Sequence, residues 1–494
     1  MKGDQQLGFC VVCRFGNPFR EERHLYAWVI RRTLGEIAHL SDWSKANNMT
    51  KVPPILLLLA WLPAWAQDPM SLRDAVRVAL DKNKSIDAAG AAQNAAQSRI
   101  AEARAGFLPK VNYSESWARS DNPVFVFSSL LTQHQFGEQN FQIGPLNQPD
   151  FLNNFQSLVT ADETVYDGGQ TKHAVRSAEL TKDIASENHR LTQTEVIAGV
   201  VRAYYGAVLS AEQLKAATQA TRSAEADLQR AESVRSAGMS TDSDVLSIRV
   251  HLAGVQEQRI RRSADLDVAR AALNDVLGLP LDTVHQLTTD LARVSLPESS
   301  LADYEAGAVA DRAEARQAKL ATNLAETHAA DAHSSMLPQV VLHGAFEADR
   351  QRFYDRGGTD WLVSIGLRWN LFNGFGDKAR IEESNAQLRR SEAEQERAGS
   401  TIRLQVRRAY ADLRAAEQRI EVAKASVAEA EESLRITQNR YEAGMNNVTD
   451  LLRTETAVLE SRTRYLAAVH DQRIAATMLD MAAGRLSLSS EVLN

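Results

Sequence analysis

The sequence predicts a mainly α-helical chain with a membrane β-barrel part, made of one helix, strand, strand, long helix, helix unit used twice. Three observations carry this reading. The same landmarks recur at a constant offset, two pairs of proline-free stretches are far longer than ordinary globular helices, and short segments alternating apolar with polar residues precede them.

The repeat orders everything else. Gly168, Gly238 and Gly278 return as Gly374, Gly444 and Gly484, each displaced by 206 positions, and Ala237-Gly238-Met239 returns as Ala443-Gly444-Met445. The same offset pairs Asp244 with Asp450, Leu246 with Leu452 and Leu273 with Leu479. Upstream, Leu108-Pro109 matches Leu337-Pro338 at an offset of 229, so the first copy carries an insertion that places a long loop within 120–154. The first repeat is read as 67–280, a linker as 281–305 and the second repeat as 306–494.

Before the repeat, residues 49–66 have the form of a secretory signal: Lys51, a short apolar run to Leu62, and Ala64-Trp65-Ala66 as cleavage site. The run is too short to span a bilayer as a helix and is flanked by Pro53, Pro54 and Pro63. Residues 1–48 then read as an extension upstream of the true start at Met49. Both cysteines, Cys10 and Cys13, fall in it, so the exported chain is expected to hold no disulfide. The whole chain has a formal net charge of −7, and removing the first 66 residues makes it more acidic still. That excludes a nucleic-acid partner, which needs clustered basic charge.

No proline occurs between Pro149 and Pro280 or after Pro338, and 170–237 and 377–443 are rich in Ala, Glu, Gln, Arg and Leu, all good helix formers. At 1.5 Å per residue such a helix spans about 100 Å. Ile184, Leu191, Ile197, Val201, Tyr204 and Val208 recur at helical spacing among alanines, a narrow seam suited to neighbouring helices. After each long helix the glycine and the polar residues Ser240-Thr241-Asp242-Ser243 or Asn446-Asn447 suit a C-cap followed by an N-cap, so the chain folds back into 242–277 and 447–483.

Strands are predicted near 110–118, 156–166, 339–349 and 361–372. The last is clearest: Trp361, Val363, Ile365, Leu367, Trp369 and Leu371 face one way, with Ser364, Gly366, Arg368 and Asn370 opposite. Val340, Leu342, Phe346 and Ala348 alternate with Gln339, His343, Glu347 and Asp349, and the tryptophans mark interfacial belts. Four strands cannot close a membrane barrel, so copies must join. Two chains would give a barrel filled by side chains, and three would give twelve strands and leave a passage.

The duplicated unit, the Leu-Pro pairs, Tyr166-Asp167-Gly168-Gly169, Phe372-Asn373-Gly374 and the paired Ala-Gly-Met turns together resemble the TolC-type outer-membrane factor family across residues 67–494. The resemblance implies a homotrimer in outer-membrane lipid, with one twelve-stranded barrel and a periplasmic helical tunnel that docks on a periplasmic adaptor (membrane fusion protein) and an inner-membrane pump. It implies export of drugs, metals or proteins. Carried over residue by residue, Ala237, Gly238, Met239, Ala443, Gly444 and Met445 take the family's adaptor-contact role, and Asp244, Tyr441 and Asp450 its entrance gate. Where the family has Arg, this chain has Asn446, and where it has a second acidic ring residue, this chain has Arg453.

Two rival readings are weaker. Gly374-Phe375-Gly376 followed by Ala379 imitates a dinucleotide fingerprint, but nearly seventy helix-forming residues follow where a parallel strand is needed. The histidines show no ligand spacing, so neither an enzyme nor a metal or cofactor site is expected. A periplasmic coiled-coil adaptor without a barrel explains the helices but not the alternating strands.

Overall fold

The structure, a computed structural model, describes residues 69–238, 240–295 and 299–493; the expected signal and the segment before it lie outside the described residues. The first half contains β1 (Pro69–Met70), α1 (Leu72–Lys82), α2 (Lys84–Arg104), β2 (Lys110–Ser120), α3 (Pro123–Thr132), α4 (Ile143–Asn147), β3 (Leu152–Tyr166), α5 (Gln170–Ser236), α6 (Asp242–Leu277) and β4 (Gln286–Leu287). The second half contains α7 (Leu301–Asp311), α8 (Ala313–Ser334), β5 (Gln339–Arg350), β6 (Gly358–Arg368), α9 (Gly376–Glu442) and α10 (Val448–Ala482). The chain is mostly helical, and among the described residues no helix is long and apolar enough to cross a membrane.

The two-residue β1 and β4 pair separately in parallel, and the other four strands form an antiparallel sheet in the order β2-β3-β5-β6. Its register sorts the side chains by polarity. Val340 pairs with Leu367, Leu342 with Ile365 and Phe346 with Trp361, while His343 pairs with Ser364 and Glu347 with Asp360 on the other face. Each strand therefore contributes apolar groups to one face and polar groups to the other. The first-unit strands alternate less cleanly: beside Val111, Tyr113, Trp117 and Val159 the same face carries Glu115, whose carboxylate lies 3.0 Å from Arg350. Among the described residues, both outer strands of the sheet, β2 and β6, have an unpaired edge.

Two strand limits differ from the sequence expectation. β3 begins at Leu152, four residues early, because Asn153 and Asn154 continue the ladder opposite Arg119 and Ala118. β6 stops at Arg368, so Trp369 and Leu371 lie beyond it. The stretch expected as a loop at 120–154 holds α3 and α4. Asn122 caps α3 by accepting from Val124 and Phe125, with Pro123 in the first turn where its missing N–H is harmless. α3 is tied to the polar face of the sheet: the Gln133 side chain donates to the Asn153 carbonyl at 2.9 Å and to Asn154 Oδ1 at 2.8 Å. Gly358 fits beneath it because a Cβ there would collide with the Thr132 carbonyl oxygen.

From the sheet the chain runs straight into α5 and α9, 67 residues each, or about 100 Å. Asp167 starts α5 by accepting from the Gly169 and Thr171 amides, and Asn373 starts α9 by accepting from Asp377. The glycine-rich segment at 374–376 thus opens a long helix after an antiparallel strand, which is not a dinucleotide unit.

The main core lies at the middle of the long helices, as a belt. Leu72, Ala75, Val76 and Ala79 of α1 pack on Val200, Val201, Tyr204 and Tyr205 of α5 together with Leu273, Leu413 and Leu479. Tyr204 is fully buried; its hydroxyl donates to the Met70 carbonyl at 2.9 Å and accepts from the Thr288 and Thr289 amides at 3.1 and 3.0 Å. Arg312 is a second tie, donating to Gln405 at 2.6 Å and to the Ala482 carbonyl at 3.4 Å.

Candidate entrance site at the hairpin tips

Each helical hairpin turns on a glycine whose backbone demands it. Gly238 has φ +78° and Gly444 φ +73°, while a Cβ at either would meet nothing within 4 Å, so the left-handed conformation alone selects glycine. At the second tip the Met445 amide donates to the Arg440 carbonyl at 2.8 Å and the Gly444 amide to Tyr441 at 3.0 Å, a Schellman closure. At the first, Gly238 donates to the Arg235 carbonyl at 2.8 Å. Ala237, Gly238, Ala443, Gly444 and Met445 are exposed, free to meet another molecule; Met239 lies outside the described residues.

The returning helices start on side-chain caps. Thr241 and Asp244 form a capping box at α6, and Asn447 accepts from the Asp450 amide at 2.9 Å at α10. The Asp244 carboxylate accepts from the Thr241 hydroxyl at 2.8 Å and from Ser240 at 3.2 Å, bonds that hold its pKa below the usual value. Asp244 is therefore satisfied within its own turn rather than by Tyr441. Tyr441 packs beside an apolar cluster of Ala231, Val245, Ile248 and Val448 that joins the two hairpins. Burial raises its hydroxyl pKa, and the nearby Asp244 and Asp227 raise it further. Asp244, Tyr441, Asn446 and Asp450 are half-buried in the single chain and Arg453 is exposed.

About two to three turns above the tips lies a group that the sequence reading passed over. Asp227 of α5 is 8% exposed and faces Glu455 of α10, while His251 Nε2 of α6 stands 3.3 Å from Glu455. Burial first, and Glu455 next, push Asp227 up to about 7. The signal was present in the helical spacing. Asp227 falls on the stripe Thr221, Ala224, Ala231, and Glu455 on the stripe Leu451, Val458, where an apolar residue is the ordinary choice.

A two-faced sheet with open edges, continued by helices of about 100 Å that end in paired glycine turns, is the protomer of an outer-membrane channel. The chain belongs to the outer membrane efflux protein family, whose model matches residues 75–279 and 307–485. It is 28% identical to protein CyaE of Bordetella pertussis over 434 residues, 87% of either chain. It is 24% identical to the outer membrane efflux protein BepC of Brucella suis over 79% of this chain and 87% of that one. With the alkaline protease secretion protein AprF of Pseudomonas aeruginosa it shares 23% identity over 84% and 85%. Among solved structures, the Campylobacter jejuni CmeC outer membrane channel matches with a TM-score of 0.72 at 14% identity, over 91% of this chain and 92% of its own. CusC matches at 0.71 and 16% identity, over 89% and 95%. These likenesses fix the fold.

Proposed function

We propose that this protein is the exit duct of a tripartite efflux or type I secretion system, a passive outer-membrane channel for drugs, metals or proteins. An inner-membrane pump and a periplasmic adaptor deliver the cargo. The observation that carries this is the sheet whose two edges are unpaired in one chain while one face is apolar and the other polar. Backbone groups at such edges cannot stay unpaired in hydrocarbon, so β6 of one copy pairs with β2 of the next. Three copies give twelve strands, a lumen lined by the polar face, and a tunnel of twelve helices from α5, α6, α9 and α10.

The duplicated unit supports the same design. The 206-residue offset between glycines and the match of the family in two segments both agree with two copies of one half-protomer. At the far end, the Ala-Gly-Met tips take the adaptor, and Asp244, Asp450 and Tyr441 from three copies line the entrance. With Asn446 in place of Arg, closure lacks a charge-assisted bond, so the resting duct opens more readily than is usual for the family. AprF, a protein of alkaline protease secretion, favours a secreted polypeptide as cargo.

Outer-membrane fractionation with unheated and heated electrophoresis tests the reading. A heat-dissociable trimer, cross-linked through the tips to an adaptor, is expected. A monomer released with the periplasm would overturn it in favour of a barrel-free coiled-coil protein.

A further inference from the structure

Three ionisable side chains stand where the two hairpins pack together. Asp227 lies between Ala224 and Ala231, His251 between Ile248 and Val255, and Glu455 between Leu451 and Val458, and all six neighbours are buried. Apolar residues at these positions would make a dry seam, whereas buried carboxyls must be paired or neutralised. They are brought together from three helices. His251 Nε2 is 3.3 Å from Glu455, and the buried Asp227 carboxyl stands against that of Glu455, where two ionised carboxylates repel and a proton on one of them relieves the repulsion.

The surroundings complete the junction. Arg230 lies 3.2 Å from Asp227 and 3.4 Å from Glu442 of α9, so all four long helices take part. Tyr441 of α9 also faces Asp227. On the Glu455 side a cavity of about 630 Å³ is bordered by Glu431 and Arg435 of α9 and Arg462 of α10, and it gives water and protons a route to the pair. The apolar cluster that includes Ala231 and Ile248 lies directly below, next to the tips.

We propose that the Asp227–Glu455 pair is a proton-sensitive latch between the two hairpins, holding them together when it shares one proton and easing the entrance open when both carboxyls are ionised. The inference rests on the tips being the entrance of the duct. Although burial acts to raise it, Glu455 is held below its ordinary value by the hydrogen bonds from His251 and Asp227, so the shared proton resides with Asp227, whose pKa is about 7. A carboxyl raised above its ordinary 3.8 gains a proton on folding. Its contribution to the junction is complete at acid pH and is lost as pH rises through about 7.

Single-channel recording of the full trimer in planar bilayers, from about pH 5.5 to about pH 8.5, tests this; a one-proton transition is spread over about two pH units. The wild type is expected to conduct severalfold better above a step centred near 7 than below it. Asp227→Asn keeps a donor for Glu455 at every pH and should abolish the step, leaving the low conductance of acid pH; Glu455→Gln should do the same. Either amide suffices if the other fails to give heat-dissociable trimers. His251→Gln should keep the step. A wild type that conducts without a step, an Asp227→Asn variant that keeps it, or a step lost only in His251→Gln overturns the latch and leaves the duct intact. A trimer that forms no pore at any pH counts against the exit-duct reading itself.

Discussion

An arginine at position 365 tests the facing of the sheet, because the register fixes its neighbours and the flanking tryptophans set its depth in the proposed barrel. Ile365 pairs with Leu342 on the apolar face, midway between Trp361 and Trp369. Eight residues at about 3.3 Å each separate the tryptophans by about 26 Å along the chain, or about 20 Å of depth at the usual barrel tilt. Ile365 is then about 10 Å from either belt, beyond easy reach of a snorkelling guanidinium. A lipid-facing Arg at this depth costs about 2–4 kcal/mol in each protomer, or about 30- to 900-fold in the assembly equilibrium at about 1.36 kcal/mol per decade. Ser364 pairs with His343 on the polar face, so the same substitution there meets water. The yield of heat-dissociable trimer in outer-membrane fractions should fall sharply for Ile365→Arg and little for Ser364→Arg. Equal yields, or loss at 364 alone, would refute the assigned faces.

Other perturbations separate the belt from the tips. Asn446→Arg should lower single-channel conductance by adding a charge-assisted bond worth about 1.5–3 kcal/mol where a neutral one gives about 0.5–1.5; unchanged conductance would place the gate elsewhere. Tyr204→Phe removes a hydroxyl with three backbone partners and should lower trimer stability by about 2–3 kcal/mol, read as the temperature of trimer dissociation. Burial pushes Asp480 up to about 6 from 3.8, so its ionisation opposes folding as pH rises through that value. Asp480→Asn should therefore stabilise the trimer above pH 6 by on the order of 2 kcal/mol and have no such effect near pH 4, which melting across that range would show.

The helices could be read from the sequence because their signals are local: absence of proline, composition, and a glycine followed by a polar cap at each tip. The sheet's pairing was less accessible. Trp361 to Leu371 alternates in plain sight, but where the ladder stops at Arg368 depends on its partner Gln339. The helix Pro123–Thr132 was hidden in an expected loop even though Asn122-Pro123 is a serviceable helix start. At the tips, the capping box that satisfies Asp244 involves neighbours three and four residues away and was written in Ser240-Thr241. Helical spacing marks Asp227 and Glu455 as polar residues on apolar stripes, but that they meet each other and His251 was not legible, since Glu455 reaches the others only through the packing of two separate hairpins.

Tyr204 stands near the middle of a 67-residue helix, and its three bonds make that point a fulcrum. From there to Ser236 is about 48 Å of nearly rigid rod. A tip displaced sideways by about 5 Å turns such an arm through only about 6°, an angle that side-chain packing in the belt can absorb without breaking. The lever therefore has opposite properties at its two ends. In the proposed duct, motion gathered at the tips would arrive at the belt as a slight rotation and stop there, leaving the strands beyond it in place while the entrance widens and narrows.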